Sequence, residues 1–380
     1  MINQVNRTTF FRLSLTVIFF VSCLWVNAQE VPLFVGTYTG TGSKGIYTYM
    51  FNTRTGKARL VSHTDSGSVE NPSFLALAPD KQHLYAVTET GGRTQGAVSA
   101  FSVDPDGTLL FLDKVGSGGD HPCHVSVSKD GKWVMAGNYS GGSFGVFPVK
   151  GDGTLEPARQ VIQHEGKGPN TARQEKAHVH ATILDPANRF VFVPDLGTDK
   201  VYIYRFDGQA IEPLKEAAQP FVASAPGSGP RHFTFHPNGR FAYLMEELGG
   251  TVNVYRYQDG KLTPIQNISA HKENFTGTRG SADIHLSADG KFLYASNRGD
   301  ANTIAIFSVA ADGKLKWVGD QSSGGKAPRN FTLAPGGRFL LVANQDTDNV
   351  VVMKRDAVSG KLTPTGEELA VPRPVCLLFR

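Results

Sequence analysis

The chain has 380 residues, of which 42 are glycine where about 7% is usual, and only 19% are charged where about 25% is typical. With 40% hydrophobic residues and 24 phenylalanines it can build a buried core, and these figures exclude a coiled coil and a disordered chain. Lys+Arg exceed Asp+Glu by 38 − 34 = +4, and Arg7 and Arg12 lie near the start, so the remainder is close to neutral and carries no nucleic-acid or membrane-surface footprint.

The N-terminus reads as an export signal. Arg7 and Arg12 precede an apolar run from Leu13 to Val26, and Val26-Asn27-Ala28 supplies a cleavage site before Gln29. The run is short for a spanning helix, which needs about 20 residues. Residues 1–28 are therefore read as a signal peptide and 29–380 as one exported domain, periplasmic or secreted. A lipoprotein reading at Cys23 is the weaker one: it leaves the apolar Leu24-Trp25-Val26 on the mature end and has Phe20 where an aliphatic residue is usual. Cleavage leaves only Cys123 and Cys376, which rules out a disulfide framework.

The strands come next. Leu33–Tyr38, Ile46–Phe51 and Leu60–His63 read as three short strands, and turns then recur through the chain. Glycine-centred turns fall at Gly56, Gly107, Gly153, Gly208, Gly260, Gly313 and Gly360, at intervals of 46 to 55 residues. A second series interleaves with the first, at Pro79-Asp80, Asp130-Gly131, Pro186-Ala187-Asn188, Asn238-Gly239, Asp289-Gly290 and Gly336-Gly337. One unit then reads as strand A from His124, strand B from Trp133, strand C from Ser143 and strand D from Arg159. The chain begins without a strand A and ends on an orphan one, Cys376–Phe379. Placing that last strand innermost in the first unit closes the ring and removes an unpaired edge. The expected fold is all-β, a seven-bladed β-propeller forming a single domain.

In a propeller the residues entering strand A and leaving strand B gather around one mouth of the axial channel. Units aligned on Trp133, Phe190, Phe241, Phe292 and Phe339 place Cys123, His180, Arg231, Ala282 and Arg329 ten residues earlier. Five and six residues later come Asn138-Tyr139, Asp195-Leu196, Glu246-Glu247, Asn297-Arg298 and Asn344-Gln345. Arginine forks suit an anionic ligand, and a histidine or glutamate suits proton transfer. Each residue also has a plainer reading: Arg231 as an inter-blade ion pair with Glu246 or Glu247, Arg298 as a solvated turn residue, and His124, His232 and His285 as hydrogen-bonding residues between blades. Strand alternation lets only one of Glu246 and Glu247 face the channel, and puts His178 and His180 on one strand face. No HxxxH helix, CxxC pair or EF-hand calcium loop occurs, no GxGxxG follows a strand and opens a helix, and there is no P-loop or GxSxG elbow; the glycine-rich Gly36–Gly45 reads as a long hairpin between strands B and C. No metal and no cofactor is expected.

The segments 178–204, 229–255 and 282–307, with the opening FVGTYT and the later NPSFLALAPD, resemble the seven-bladed propeller lactonase family, which contains propeller-type 6-phosphogluconolactonase and fungal carboxy-muconate cyclase. The resemblance spans the whole mature chain. It implies an active-site set of Arg231 in GPRH, Glu247, Arg298 in SNR, and a histidine in HVH that it does not resolve between His178 and His180; the repeat alignment favours His180. It also implies hydrolysis of a sugar lactone, an anionic small-molecule substrate, with Glu247 or His180 as general base and Arg231 and Arg298 holding the anion or oxyanion. His178, Arg329 and Asn297 are the further substrate-binding candidates. A non-enzymatic ligand-binding propeller and a muconate-type lactonizing enzyme are the alternatives. An exported member is expected to meet free aldonolactones or another lactone in place of a cytoplasmic sugar phosphate, and no oligomeric state is read from the sequence.

Overall fold

The computed structural model describes Met1, residues 30–65 and residues 67–380. The rest of the expected signal peptide, Cys23 included, lies outside the described residues. Among the described residues seven four-stranded antiparallel sheets form, one per blade. Blade 1 holds Glu30–Thr37, Tyr47–Asn52 and Ala58–His63, and the C-terminal strand Pro374–Phe379 is its innermost member. The pairs Leu33↔Phe379, Phe34↔Leu378 and Val35↔Leu377 set the closing register. Blades 2 to 7 follow in chain order over 75–116, 122–163, 183–223, 230–269, 281–322 and 328–370. Most expected strands lie within one to three residues of their observed bounds. The exception is the inner strand of blade 4, which is only Ile183–Leu184, so that His178 and His180 precede it and flank an isolated bridge between Val179 and Asp195.

Strand B of each blade is buried on both faces because its alternate side chains serve two neighbours. Phe241, Tyr243 and Met245 pack toward blade 6, whereas Ala242 and Leu244 pack toward blade 4. Seven apolar clusters result, one at each blade interface.

The turn glycines have a packing cause. Each sits against the start of strand B in the preceding blade: Gly153 on His83, Gly208 on Trp133, Gly260 on Phe190, Gly313 on Phe241 and Gly360 on Phe292, each the first residue of its strand, and Gly107 on Pro32, the third. Gly56 closes the series on Phe339, where a Cβ would stand 2.9 Å from the ring. Interblade hydrogen bonds lock some of these turns: the hydroxyls of Tyr85, Tyr243 and Tyr294 donate to the carbonyls of Gly153, Gly313 and Gly360 at 3.0, 3.0 and 2.9 Å.

Candidate active site

One cavity of about 550 Å³ opens at the axial mouth. Two repeated positions build it. The first is the residue just after strand B, which supplies Tyr38, Glu89, Tyr139, Glu247, Arg298 and Gln345 from six different blades. The second is the residue at the start of strand A. In blades 3, 5 and 7 the ladder shifts register at Pro122/His124, Pro230/His232 and Pro328/Asn330, leaving Cys123, Arg231 and Arg329 as the bulged residues. A bulge re-aims its side chain, which here carries it toward the axis.

Strand parity separates the neighbours one step earlier. Asn138, Asp195, Glu246, Asn297 and Asn344 are buried and serve the fold. The side-chain amides of Asn138, Asn297 and Asn344 donate to the carbonyls of Ser117, Ala270 and Ser323, each just past the outer strand of the preceding blade, at 3.2, 2.6 and 3.0 Å. Asn297 thus stands outside the cavity, contrary to its expected place among substrate-binding residues. Glu246 accepts from Thr251 and Asn253 and is likewise occupied.

Glu247 is the hub of the site. Its Oε2 accepts from Arg231 Nε at 2.9 Å and its Oε1 from Arg173 Nη2 at 2.6 Å, while Arg298 Nη2 forms an ion pair with Oε2 at 3.1 Å and His180 Nε2 lies 3.7 Å from Oε2. Burial favours the neutral acid, but Arg298, Arg231, His180 and Arg173 outweigh it and hold the carboxyl well below the usual glutamate range. Burial, reinforced by Arg231, holds His180 well below the usual histidine value, so the ring is neutral at pH 7. Burial and the like charges of Arg298 and Arg329 bring Arg231 down to about 10, still a cation at neutral pH.

The sequence-derived candidates divide by position. His180, Glu247, Arg298 and Arg329 line the cavity. Arg231 is only 1% exposed and lies beneath it, behind Glu247, so its partner is the carboxylate and not the cavity space. His178 is turned aside: its Nδ1 lies 3.0 Å from the Tyr139 carbonyl, its Nε2 lies 3.1 Å from Glu175, and its ring stacks on Tyr139. His124, His232 and His285 sit deeper in the axial channel, on inner strands.

Arg173, Tyr38 and Glu89 are among the cavity residues that escaped the sequence reading. Arg173 comes from the loop before blade 4 and also donates to the Tyr139 hydroxyl at 3.1 Å. Tyr38 and Glu89 occupy the same post-strand position as Glu247, six residues after Pro32 and His83; extending the alignment to these two non-aromatic anchors finds them. The Tyr38 hydroxyl donates to Glu89 at 2.9 Å. Arg329 lies over the Tyr38 ring at 5.5 Å and has no hydrogen-bond or ion-pair partner among the described residues. Cys123 also lines the cavity, but burial pushes its thiol up to about 12, which removes it as a nucleophile at neutral pH. Among the described residues no three His, Cys, Asp or Glu side chains group to hold a metal ion.

A closed seven-bladed ring with arginines, a buried carboxylate and a neutral imidazole at its mouth defines a propeller built to process a small polar molecule. The chain belongs to the lactonase family of seven-bladed β-propellers, whose model matches residues 32–379. It is 38% identical to a 6-phosphogluconolactonase of Bacillus subtilis over 91% of this chain and 97% of that protein. It is also 38% identical to a 6-phosphogluconolactonase of Formosa agariphila over 79% of this chain and 86% of the other. Among solved structures, the periplasmic gluconolactonase of Pseudomonas aeruginosa superposes with a TM-score of 0.86 at 40% identity, covering 92% of this chain and 99% of that one.

Proposed function

We propose that the protein hydrolyses a sugar-acid lactone at the axial mouth, of the 6-phosphogluconolactone or gluconolactone kind that its relatives' names record. The observation carrying this reading is Glu247, buried among three arginines with neutral His180 3.7 Å away. Three guanidiniums already occupy the Glu247 oxygens, whereas His180 borders the cavity as a neutral base. His180 takes a proton from water as the oxygen attacks the lactone carbonyl, and Glu247 stabilises the imidazolium that forms. Arg298 and Arg329 receive the oxyanion or the substrate's anionic group. When the tetrahedral intermediate collapses, the bond to the ring oxygen breaks and the imidazolium returns its proton to that oxygen. The hydroxy acid then ionises and releases one proton.

Export fits the same reading: the sequence features of residues 1–28 and the periplasmic relative both support a substrate met outside the cytoplasm. The test is proton release from purified protein with 6-phosphoglucono- and glucono-lactones, above the spontaneous rate. Saturable binding of both lactones without turnover would instead establish a ligand-binding propeller.

A further inference from the structure

Beneath the cavity a second polar string descends the channel. Asp283, on the inner strand of blade 6, is 2% exposed and collects donors from blades 5, 6 and 7. Its Oδ1 lies 2.7 Å from His232 Nδ1 and accepts from the backbone N–H of Ile284 at 2.9 Å. Its Oδ2 lies 2.8 Å from His285 Nε2 and accepts from the Asn330 amide at 2.5 Å and from the Phe331 N–H at 3.4 Å. A carboxylate with so many donors is ionised, and its position assigns the His232 proton to Nδ1. The lone pair on His232 Nε2 then faces Arg231 Nη1 at 3.0 Å. That nitrogen also donates to the Ala282 carbonyl at 2.8 Å, and the same guanidinium presents Nε to Glu247 at 2.9 Å.

We propose that Asp283 and His232 are positioning residues for the reaction: Asp283 fixes the tautomer of His232, and His232 fixes the plane in which Arg231 meets Glu247. The opposite tautomer would set an imidazole N–H against a guanidinium N–H, and Arg231 would leave Glu247. The role differs from blade cohesion alone, because cohesion has no requirement for which nitrogen of His232 is bare. The groups facing His232 are Asp283, Arg231, the Phe74 ring at 5.7 Å and the rings of His124 and His180, whose centroids lie 5.8 and 5.6 Å away, with His285 acting on it from the far side of Asp283. Those facing Glu247 are Arg173, Arg231, Arg298 and His180. Loss of the Arg231 contact takes one guanidinium from both Glu247 and His180, so both groups move up, and the acid limb of the rate profile, set by protonation of the His180 base, moves with them.

The inference rests on the lactonase reading for its kinetic test, but a spectroscopic arm stands apart from turnover. In the full chain, long-range ¹⁵N–¹H spectra of the histidines between pH 5 and 8 should show His232 with its proton on Nδ1. A proton on Nε2 would overturn the proposal whether or not any lactone is hydrolysed. In the kinetic arm, His232→Leu should lower kcat/KM by about tenfold or more and raise the acid limb, whereas His232→Gln, which keeps one donor and one acceptor, should stay within about threefold of wild type. Thermal melts report whether each variant folds. Wild-type kcat/KM and an unmoved acid limb in folded His232→Leu would sink the idea. If that variant does not fold, Asp283→Asn takes its place, and equal losses in Asp283→Asn and His232→Gln would contradict it.

Discussion

Arg231 Nε meets Glu247 Oε2 at 2.9 Å, and both residues are buried, at 1% and 4% exposure. Glu247 lines the cavity and Arg231 supports it from beneath, so charge at this point serves stability and chemistry together. Removing one member of a buried pair leaves the other charge unmatched, at a cost of about 3–5 kcal/mol. Glu247→Gln should therefore lower kcat/KM by about tenfold or more and also lower the unfolding temperature. Kinetics and thermal unfolding on the same preparation check both halves, and a fully active Glu247→Gln variant would remove Glu247 from the site.

Arg173 gives the contrasting case. It reaches the same carboxylate at 2.6 Å, but its side chain is 43% exposed. Solvent screening reduces such a pair to about 1 kcal/mol or less, so Arg173→Ala should melt close to wild type. Its effect should appear in KM, because its guanidinium borders the cavity. A large loss of stability with unchanged KM would assign it to the fold.

Arg329 is the cavity cation without a hydrogen-bonding partner among the described residues, and is accordingly available to an anionic substituent. Arg329→Gln should reduce kcat/KM for a phosphorylated lactone by about tenfold and for the free lactone by less than about threefold. Equal losses on both substrates would place Arg329 at the reacting carbonyl instead.

Stability should fall with acid in a window set by the buried histidines. Burial, then Arg231, brings His232 down to about 4 from an ordinary value of 6.5. Between those two values the unfolded chain binds a proton that the folded one does not, so stability rises with pH and is lost as pH falls from 6.5 toward 4. His271, lowered to about 4 mainly by burial, acts in the same direction. Melting temperatures at pH 7, 6 and 5 should decline, and His232→Gln should show a shallower slope. An equal slope in that variant would exclude His232 as a source of the dependence.

Much of the architecture is legible in the turn glycines, because their spacing reflects a steric demand. Gly313 has φ +85°, and a Cβ there would overlap the Phe241 ring of the preceding blade. Gly313→Ala should cost about 3 kcal/mol by the combined left-handed backbone and overpacking penalties. Thermal or denaturant unfolding measures it, and a neutral result would break the link between the glycine period and blade packing. Part of the site was legible for a similar reason: the position after strand B recurs in every blade, and parity separates Glu247 from Glu246 and Arg298 from Asn297. Arg173 was hidden because it lies in a connecting loop that has no counterpart in the repeat. The burial of Arg231 was hidden because a register position gives direction toward the axis but not depth along it. Alternation could not separate His178 from His180, because residues two apart share one strand face; the structure separates them because their segment precedes the short regular strand of blade 4.

The most direct measurement compares wild-type protein with His180→Asn for proton release from 6-phosphoglucono- and glucono-lactones. Wild type is expected to hydrolyse at least one of them well above the spontaneous rate, and the variant to fold normally with a kcat lower by about a hundredfold. A wild-type protein with no turnover on either lactone would contradict the proposed activity, and a fully active His180→Asn variant would contradict the proposed base.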